Sequence, residues 1–179
     1  MKGDTPSTTQ RRFPLMCLTV TAPYSWLLAG KLKRYETRSW ARSYRGLLGI
    51  HTARGLGPVG GPSGLLDLCA REPFRTAMEQ LGIKTPLAEP RGAIIAVANL
   101  TQIHTTEHVL PIIRGTDEEA FGNYDPGRFA LQFTGMCRLR VPIFTGGAQQ
   151  LWHFYPSQPL ARMLPDLLEI PAKRQEVPA

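Results

Sequence analysis

Six segments of the chain carry the apolar runs or the apolar–polar alternation that are typical of β-strands. Runs such as PLMCLTVTA are rich in apolar and β-branched side chains. RYETRSW instead alternates, so that every second side chain lies on the same face of an extended strand. The pattern predicts strands at residues 15–22, 34–40, 45–53, 92–107, 129–144 and 148–155.

Helical spacing is confined to short stretches. Pro23 opens PYSWLLAGKL, which predicts a short helix at residues 23–32. Residues 65–82 predict a helix that is interrupted at Pro73, while the Gly- and Pro-rich residues 54–64 and the acidic residues 117–128 are predicted loops. Strands with only two or three helices predict an α+β fold, most simply a small closed or half-closed barrel.

The length of 179 residues fits one domain. We expect a flexible basic tail at residues 1–13, the folded domain at 14–156, and a closing helix with a polar tail at 157–179. The N-terminus lacks the apolar stretch of a secretory signal, and no run of apolar residues is long enough to span a membrane. Together with three widely spaced cysteines, which favour neither disulfides nor a zinc site, this predicts a cytoplasmic protein.

Positive charge is concentrated at one end of the chain. The net charge is +7, and residues 1–54 contain ten Lys or Arg but only two acids, whereas the rest of the chain is nearly neutral. Clustered cations displace counterions from phosphates, so this asymmetry favours a polyanionic partner such as nucleic acid. A basic surface that only keeps the protein in solution is the alternative.

A single carboxylate stands inside this basic segment: Glu36 is the only acid between Asp4 and Asp67. Strand alternation places Glu36 and Arg38 on one face, together with Trp40, and Lys33 begins the same strand. Flanking cations keep a carboxylate ionised and oriented, so that it could accept hydrogen bonds from a nucleobase while the cations contact phosphate. A purely structural ion-pair cluster is the alternative.

The order of these segments resembles the ASCH domain family of the PUA-like superfamily. The resemblance covers roughly residues 15–155 and rests on APYSWLLAGKLKRYETRSW, YRGLLGIHTA, PRGAIIAVANLTQ and YDPGRFALQF. Lys33, Glu36 and Arg38 match the Lys-x-x-Glu-x-Arg part of the family signature. Gly30 lies one residue too early for that signature, and Ala22 stands where many relatives carry Gln. The resemblance implies a PUA-like β-barrel that binds RNA.

The candidate ligand-binding side chains follow from both lines of reasoning. Trp40 is the favoured aromatic for stacking a base, because it shares the face of Glu36 and Arg38; most other aromatics are expected in the core. Glycines beside Arg45 and Arg128 would let the backbone approach a ligand, and the same positions match residues frequent in the family. The predicted RNA- or nucleotide-binding set is Lys33, Glu36, Arg38, Trp40, Arg45, Tyr124 and Arg128.

Catalysis is left open by the sequence. Some ASCH relatives remove the acyl group from acetylated cytidine with a Lys-x-x-Thr pair, and others are described as ribonucleases. Here the Lys-x-x-Thr spacing gives Lys33 and Glu36, so that threonine nucleophile is missing. The alternative to binding is therefore a metal-independent ribonuclease or nucleoside amidohydrolase that uses Lys33 and Glu36 as catalytic residues. No cofactor or metal is expected, since His104 and His108 fall on predicted strand and loop.

Overall fold

The computed structural model describes residues 14–157, so the predicted N-terminal tail and the predicted C-terminal helix lie outside the described residues. All six predicted strands are present and belong to one sheet, which confirms the α+β class. The strands are β1 (Leu15–Val20), β2 (Tyr35–Arg38), β3 (Gly46–Thr52), β4 (Ala93–Thr105), β5 (Phe129–Phe144) and β6 (Leu151–Phe154).

The strand order in the sheet is β2-β5-β4-β3-β1-β6. β1 and β3 pair in parallel, and every other neighbouring pair is antiparallel. β4 and β5 form the long spine of the sheet, and their pairing shifts register at three places, which bends the sheet. β2 and β6 stand at the opposite edges, and the sheet between them curls into a half-barrel.

Five α-helices lie among the described residues, more than the two or three predicted. α1 begins at the predicted place, directly after Pro23, and packs against β3, β4 and β5. The helix predicted at 65–82 is divided at Pro73, as expected. The helices are α1 (Tyr24–Ala29), α2 (Gly61–Cys69), α3 (Phe74–Gln80), α4 (Thr106–Ile113) and α5 (Asp117–Ala120).

The loop predicted at 117–128 begins instead with helix α5 at Asp117–Ala120, and two other predicted boundaries were wrong. Residues 54–64 are not a plain loop: they contain a 3-10 turn, and α2 already begins at Gly61, with Pro62 in the first turn where a missing N–H is harmless. The strand predicted to run to residue 107 ends at Thr105, and α4 follows at once. α4 was missed because Pro111 lies inside it, although Val109 and Ile113 have the spacing of one buried helical face.

The buried apolar side chains of the described residues form one main core and two smaller clusters. The main core lies between the sheet and helices α1 to α3 and includes Leu27, Leu28 and Phe74. A smaller cluster joins Tyr35 of β2 to α4. No helix among residues 14–157 is long and apolar enough to cross a membrane.

Candidate functional site

The site is built on β2, which pairs with β5 along one edge only. The other edge of β2 is covered by the acidic segment that the sequence predicted as a loop. There the buried carboxylate of Glu118 accepts hydrogen bonds from the backbone N–H groups of Arg34 (2.8 Å) and Tyr35 (3.2 Å). The hydroxyl of Tyr124 donates a third hydrogen bond to Glu118 (3.2 Å). Glu118 thus replaces the strand that would otherwise satisfy this edge.

Lys33, Glu36 and Arg38 form one connected cluster. Glu36 and Arg38 lie two apart on β2, as their spacing predicted, and Lys33 lies just before the strand. Glu36 lies between the two cations: its Oε2 is 3.7 Å from Lys33 Nζ, and its Oε1 is 3.1 Å from Arg38 Nη2. Lys33 Nζ also donates to the Phe121 carbonyl (2.6 Å), and Arg38 Nη2 donates to the Thr19 carbonyl (2.7 Å). Every charge in this cluster is therefore held by at least two partners.

Exposure increases steadily through the cluster. The side chain of Lys33 is 1% exposed, that of Glu36 is 11% exposed, and that of Arg38 is 25% exposed. Burial lowers the pKa of Lys33, while the negative charges of Glu36 and Glu118 act in the opposite direction. Lys33 borders a cavity of about 250 Å³ together with Lys31 and Phe133, although its own side chain is almost fully buried. The Arg38 end of the cluster, its most exposed part, faces a separate cavity.

That space, which we call the Arg38 cavity, has a volume of about 380 Å³. Three parts of the chain line this cavity: the end of β1, the end of β2, and the turn before β6. The guanidinium of Arg42 lies 5.5 Å from the centre of the Trp40 ring, and Arg42 also donates a hydrogen bond to the side chain of Gln150. The lining residues are Thr19, Arg38, Trp40, Ala148, Gln149 and Gln150.

The other predicted site residues lie elsewhere. Arg45 is exposed and donates to the carbonyls of Arg42 (2.9 Å) and Tyr44 (2.7 Å) on the loop after Trp40, and it does not line the Arg38 cavity. Tyr124 is buried and bonded to Glu118 instead of facing that cavity. Arg128 donates to the Asn123 carbonyl (3.2 Å) and forms a long contact with the Thr37 carbonyl, at the outer edge of β2.

The histidines do not form a metal centre. His104 stacks on His108 with ring centres 5.3 Å apart, and its Nε2 is 2.9 Å from the Gln132 side-chain oxygen. Within residues 14–157, no group of three His, Cys, Asp or Glu side chains is arranged to hold a metal ion.

Sequence reasoning missed Thr19, Gln150 and Glu118. Thr19 is a polar residue in an apolar strand, which is a usable signal. Glu118 stands between two other acids in the sequence, and nothing in the pattern separates it from them. Gln150 belongs to a polar turn whose approach to Arg42 depends on the pairing of β6 with β1.

Comparison with known proteins gives matches among solved structures. No family model matches the chain, and no curated protein matches it. Among solved structures, the chain is similar to an ASCH protein from Zymomonas mobilis, with a TM-score of 0.49 and 12% identity over 86% of this chain and 94% of that one. Two single-residue variants of that protein match as well: one with a TM-score of 0.49 and 14% identity over 88% and 99% of the two chains, the other with 0.47 and 12% over 87% and 99%.

Proposed function

We propose that this chain binds RNA or a modified nucleotide in the Arg38 cavity. The observation that carries the proposal is the pairing, at one open site, of a fixed guanidinium with an aromatic ring. Arg38 is held by Glu36 and the Thr19 carbonyl, and Trp40 lines the same cavity. A guanidinium suits phosphate or a base carbonyl, and an indole ring offers a stacking surface to any base.

The surrounding charge favours a polyanion. Arg42 and Arg45 are exposed on the loop after Trp40, and neither forms an ion pair with an acid among the described residues. Their hydrogen bonds go to neutral oxygens, so their charges remain available to phosphate. Such contacts position a nucleic acid without reading its sequence, and they make binding depend on salt.

In this proposal Glu36 does not contact a base, although its place in the sequence predicted that it would accept hydrogen bonds from one. Both of its oxygens already contact cations, and its residue is buried. We therefore assign Glu36 and Lys33 to orienting Arg38, with a base edge reaching Arg38 and Trp40 first. A ribonuclease or amidohydrolase that used Lys33 and Glu36 would need Lys33 to contact substrate. Its ammonium is enclosed and bonded to Phe121, so the geometry favours binding over that alternative.

The test is the salt dependence of RNA affinity, measured by fluorescence anisotropy with a short labelled single-stranded RNA. The affinity should fall as salt rises, and changing Arg42 and Arg45 together to Ala should reduce the log–log slope by about 2 if each contacts one phosphate. Trp40→Ala should weaken binding by about 1–3 kcal/mol. The matched control changes Arg138 and Arg140 to Ala, which removes the same amount of positive charge from a different place, strand β5. Binding that ignores salt, or an equal effect of the control, would contradict the proposal.

A further inference from the structure

Another cavity, which we call the Trp26 cavity, shares no lining residue with the Arg38 cavity and has a volume of about 200 Å³. Its wall is formed by α1, the turn after α3, the segment that leads into β4, β4 itself, and β5. None of the side chains that we propose to bind RNA lines it. The proposed function therefore leaves this cavity without a role.

The Trp26 cavity lies against a large β-bulge in β5. Ile95 of β4 stands opposite the four residues 139–142 of β5, where an undisturbed ladder would pair residues one to one. Pro142 belongs to this bulge, and a proline has no N–H group to contribute to the ladder. Residues 139, 140 and 142 line the cavity, so the bulge supplies one of its walls. The ordinary pairs on either side of the bulge are Ala96 with Arg138 and Ile94 with Ile143.

Most of the wall is apolar. The buried apolar residues of the lining are Trp26, Ala29, Ile83, Ile95 and Leu139. An apolar cavity of about 150 Å³ holds one benzene molecule, so the Trp26 cavity has room for a single ring with a short substituent. A nucleobase suits this wall poorly, because its polar edges would lose their hydrogen bonds to water and find few replacements. The volume and the lining thus favour a small, largely apolar ligand.

The charged residues of the lining come from β5 and from the segment before β4. Arg138 and Arg140 line the cavity and are exposed, so their charges lie at its mouth. Among residues 14–157, neither arginine forms an ion pair with an acid. Glu89, which is half-buried, is the one carboxylate of the lining. Two cations and one carboxylate leave an excess of one positive charge, which a ligand with a single negative charge would balance.

We propose that the Trp26 cavity binds a small monocarboxylate whose body is a single apolar ring. The ring occupies the space beside Trp26 and Ile95, and the carboxylate remains at the mouth with Arg138 and Arg140. A guanidinium matches the geometry of a carboxylate and can donate two parallel hydrogen bonds to it. This inference goes beyond the proposed function, since the ligand is neither RNA nor a nucleotide and the two cavities share no lining residue.

The experiment compares benzoate with benzamide, which has the same ring and nearly the same shape but no charge. Affinities are measured by NMR titration of the full chain at neutral pH and constant ionic strength. Benzoate should bind the wild type about tenfold more tightly than benzamide, or more, because hydrogen bonds to an ionised group are about twice as strong as neutral ones. The indole N–H signal of Trp26 should shift during the titration, whereas that of Trp40 in the Arg38 cavity should stay in place.

Two variants separate the contribution of charge from that of space. Changing Arg138 and Arg140 together to Gln should remove the preference for benzoate over benzamide. Ala29→Leu places a larger side chain in the cavity, so it should abolish the binding of both compounds. The matched control changes Arg71 and Arg114 to Gln. These arginines are exposed, lie outside the lining and form no ion pair among residues 14–157, so this control should bind like the wild type.

The inference would be overturned if benzoate did not bind the wild type, if it bound no more tightly than benzamide, or if the preference survived the loss of Arg138 and Arg140. A shift of the Trp40 indole in place of that of Trp26 would put the carboxylate in the Arg38 cavity and would overturn it as well. If Ala29→Leu does not fold, the Gln variants still decide, because they change only exposed side chains. RNA affinity has no part in this test, so its outcome is independent of the proposed function.

Discussion

Replacing Lys33 with Met tests whether the buried cluster carries an ionised lysine. Met keeps most of the apolar stem and removes the ammonium. In the structure that ammonium is 3.7 Å from Glu36 and donates to the Phe121 carbonyl. The substitution therefore leaves a buried carbonyl without its donor and removes one of the two cations that face Glu36.

The expected loss of stability depends on the contacts that Glu36 keeps after the substitution. Removing one partner of a buried ion pair destabilises a protein by about 3–5 kcal/mol. Glu36 keeps Arg38 at 3.1 Å, and removal of the buried ammonium relieves its own desolvation, so we expect the lower end, about 3 kcal/mol. Lys31→Met is the control: Lys31 is exposed on the same segment, and its substitution should change the free energy of unfolding by about 0.5 kcal/mol or less.

The pH dependence gives the sharper test. Burial places the pKa of folded Lys33 below the ordinary lysine value of 10.5, so between these two pKa values the unfolded chain binds more protons than the folded one. The contribution of Lys33 to stability therefore increases as the pH rises from its folded pKa towards 10.5, with a slope of at most about 1.4 kcal/mol per pH unit in that window.

The assay is urea unfolding of the wild type and Lys33→Met from neutral pH up to the ordinary lysine pKa. Taking the difference between the two proteins cancels the tyrosines and cysteines that titrate in the same range. The stability of the wild type relative to the variant should grow with pH. A difference that is constant over this range, or a destabilisation no larger than that of Lys31→Met, would refute a buried, ionised Lys33.

Two further substitutions test the frame around the site. Glu118→Gln should destabilise the chain by about 1–3 kcal/mol in urea unfolding, because an amide cannot accept all three hydrogen bonds that the carboxylate receives at the edge of β2. The control is Asp117→Asn, which removes an exposed carboxylate next to it. An equal loss of stability in both variants would show that only the charge matters. Gly64→Ala should lower the free energy of unfolding by about 1–3 kcal/mol or more. The added Cβ in the first turn of α2 would clash with the carbonyl of Val59, which lies just before that helix. A thermal melt unchanged from that of Gly55→Ala, where the space is open, would argue against this packing.

The sheet was predictable because its signal is local. Strand alternation and apolar runs identified all six strands, and the alternation of β2 correctly separated Tyr35 and Thr37 from Glu36 and Arg38. The contact between Glu36 and Arg38 followed from the same spacing, whereas Lys33 reaches Glu36 from the turn before β2. The helix at Thr106–Ile113 was not predicted, because a proline near its end hid its helical periodicity.

The burial of the site could not be predicted from local sequence patterns. The partner of Lys33 is a carbonyl 88 positions away, and the acid that covers the edge of β2 comes from a segment that reads as a polar turn. Tyr124 was expected to face a ligand, yet its hydroxyl bonds to Glu118. These contacts depend on how the chain returns over the sheet, and strand or helix propensity contains no information about that return.

A lone acid in a basic segment acquires a physical meaning from this arrangement. Glu36 divides the nearby cations into two kinds. Arg38 is held by a carboxylate and a carbonyl, so the conformational entropy of a long side chain is lost during folding and not again when a ligand binds. The hydrogen bonds of Arg42 and Arg45 go only to neutral oxygens, and both side chains stay exposed, which suits them to attracting phosphate in the proposed function. Without Glu36, Arg38 would keep only its hydrogen bond to the Thr19 carbonyl and would present a less firmly fixed guanidinium to the proposed ligand.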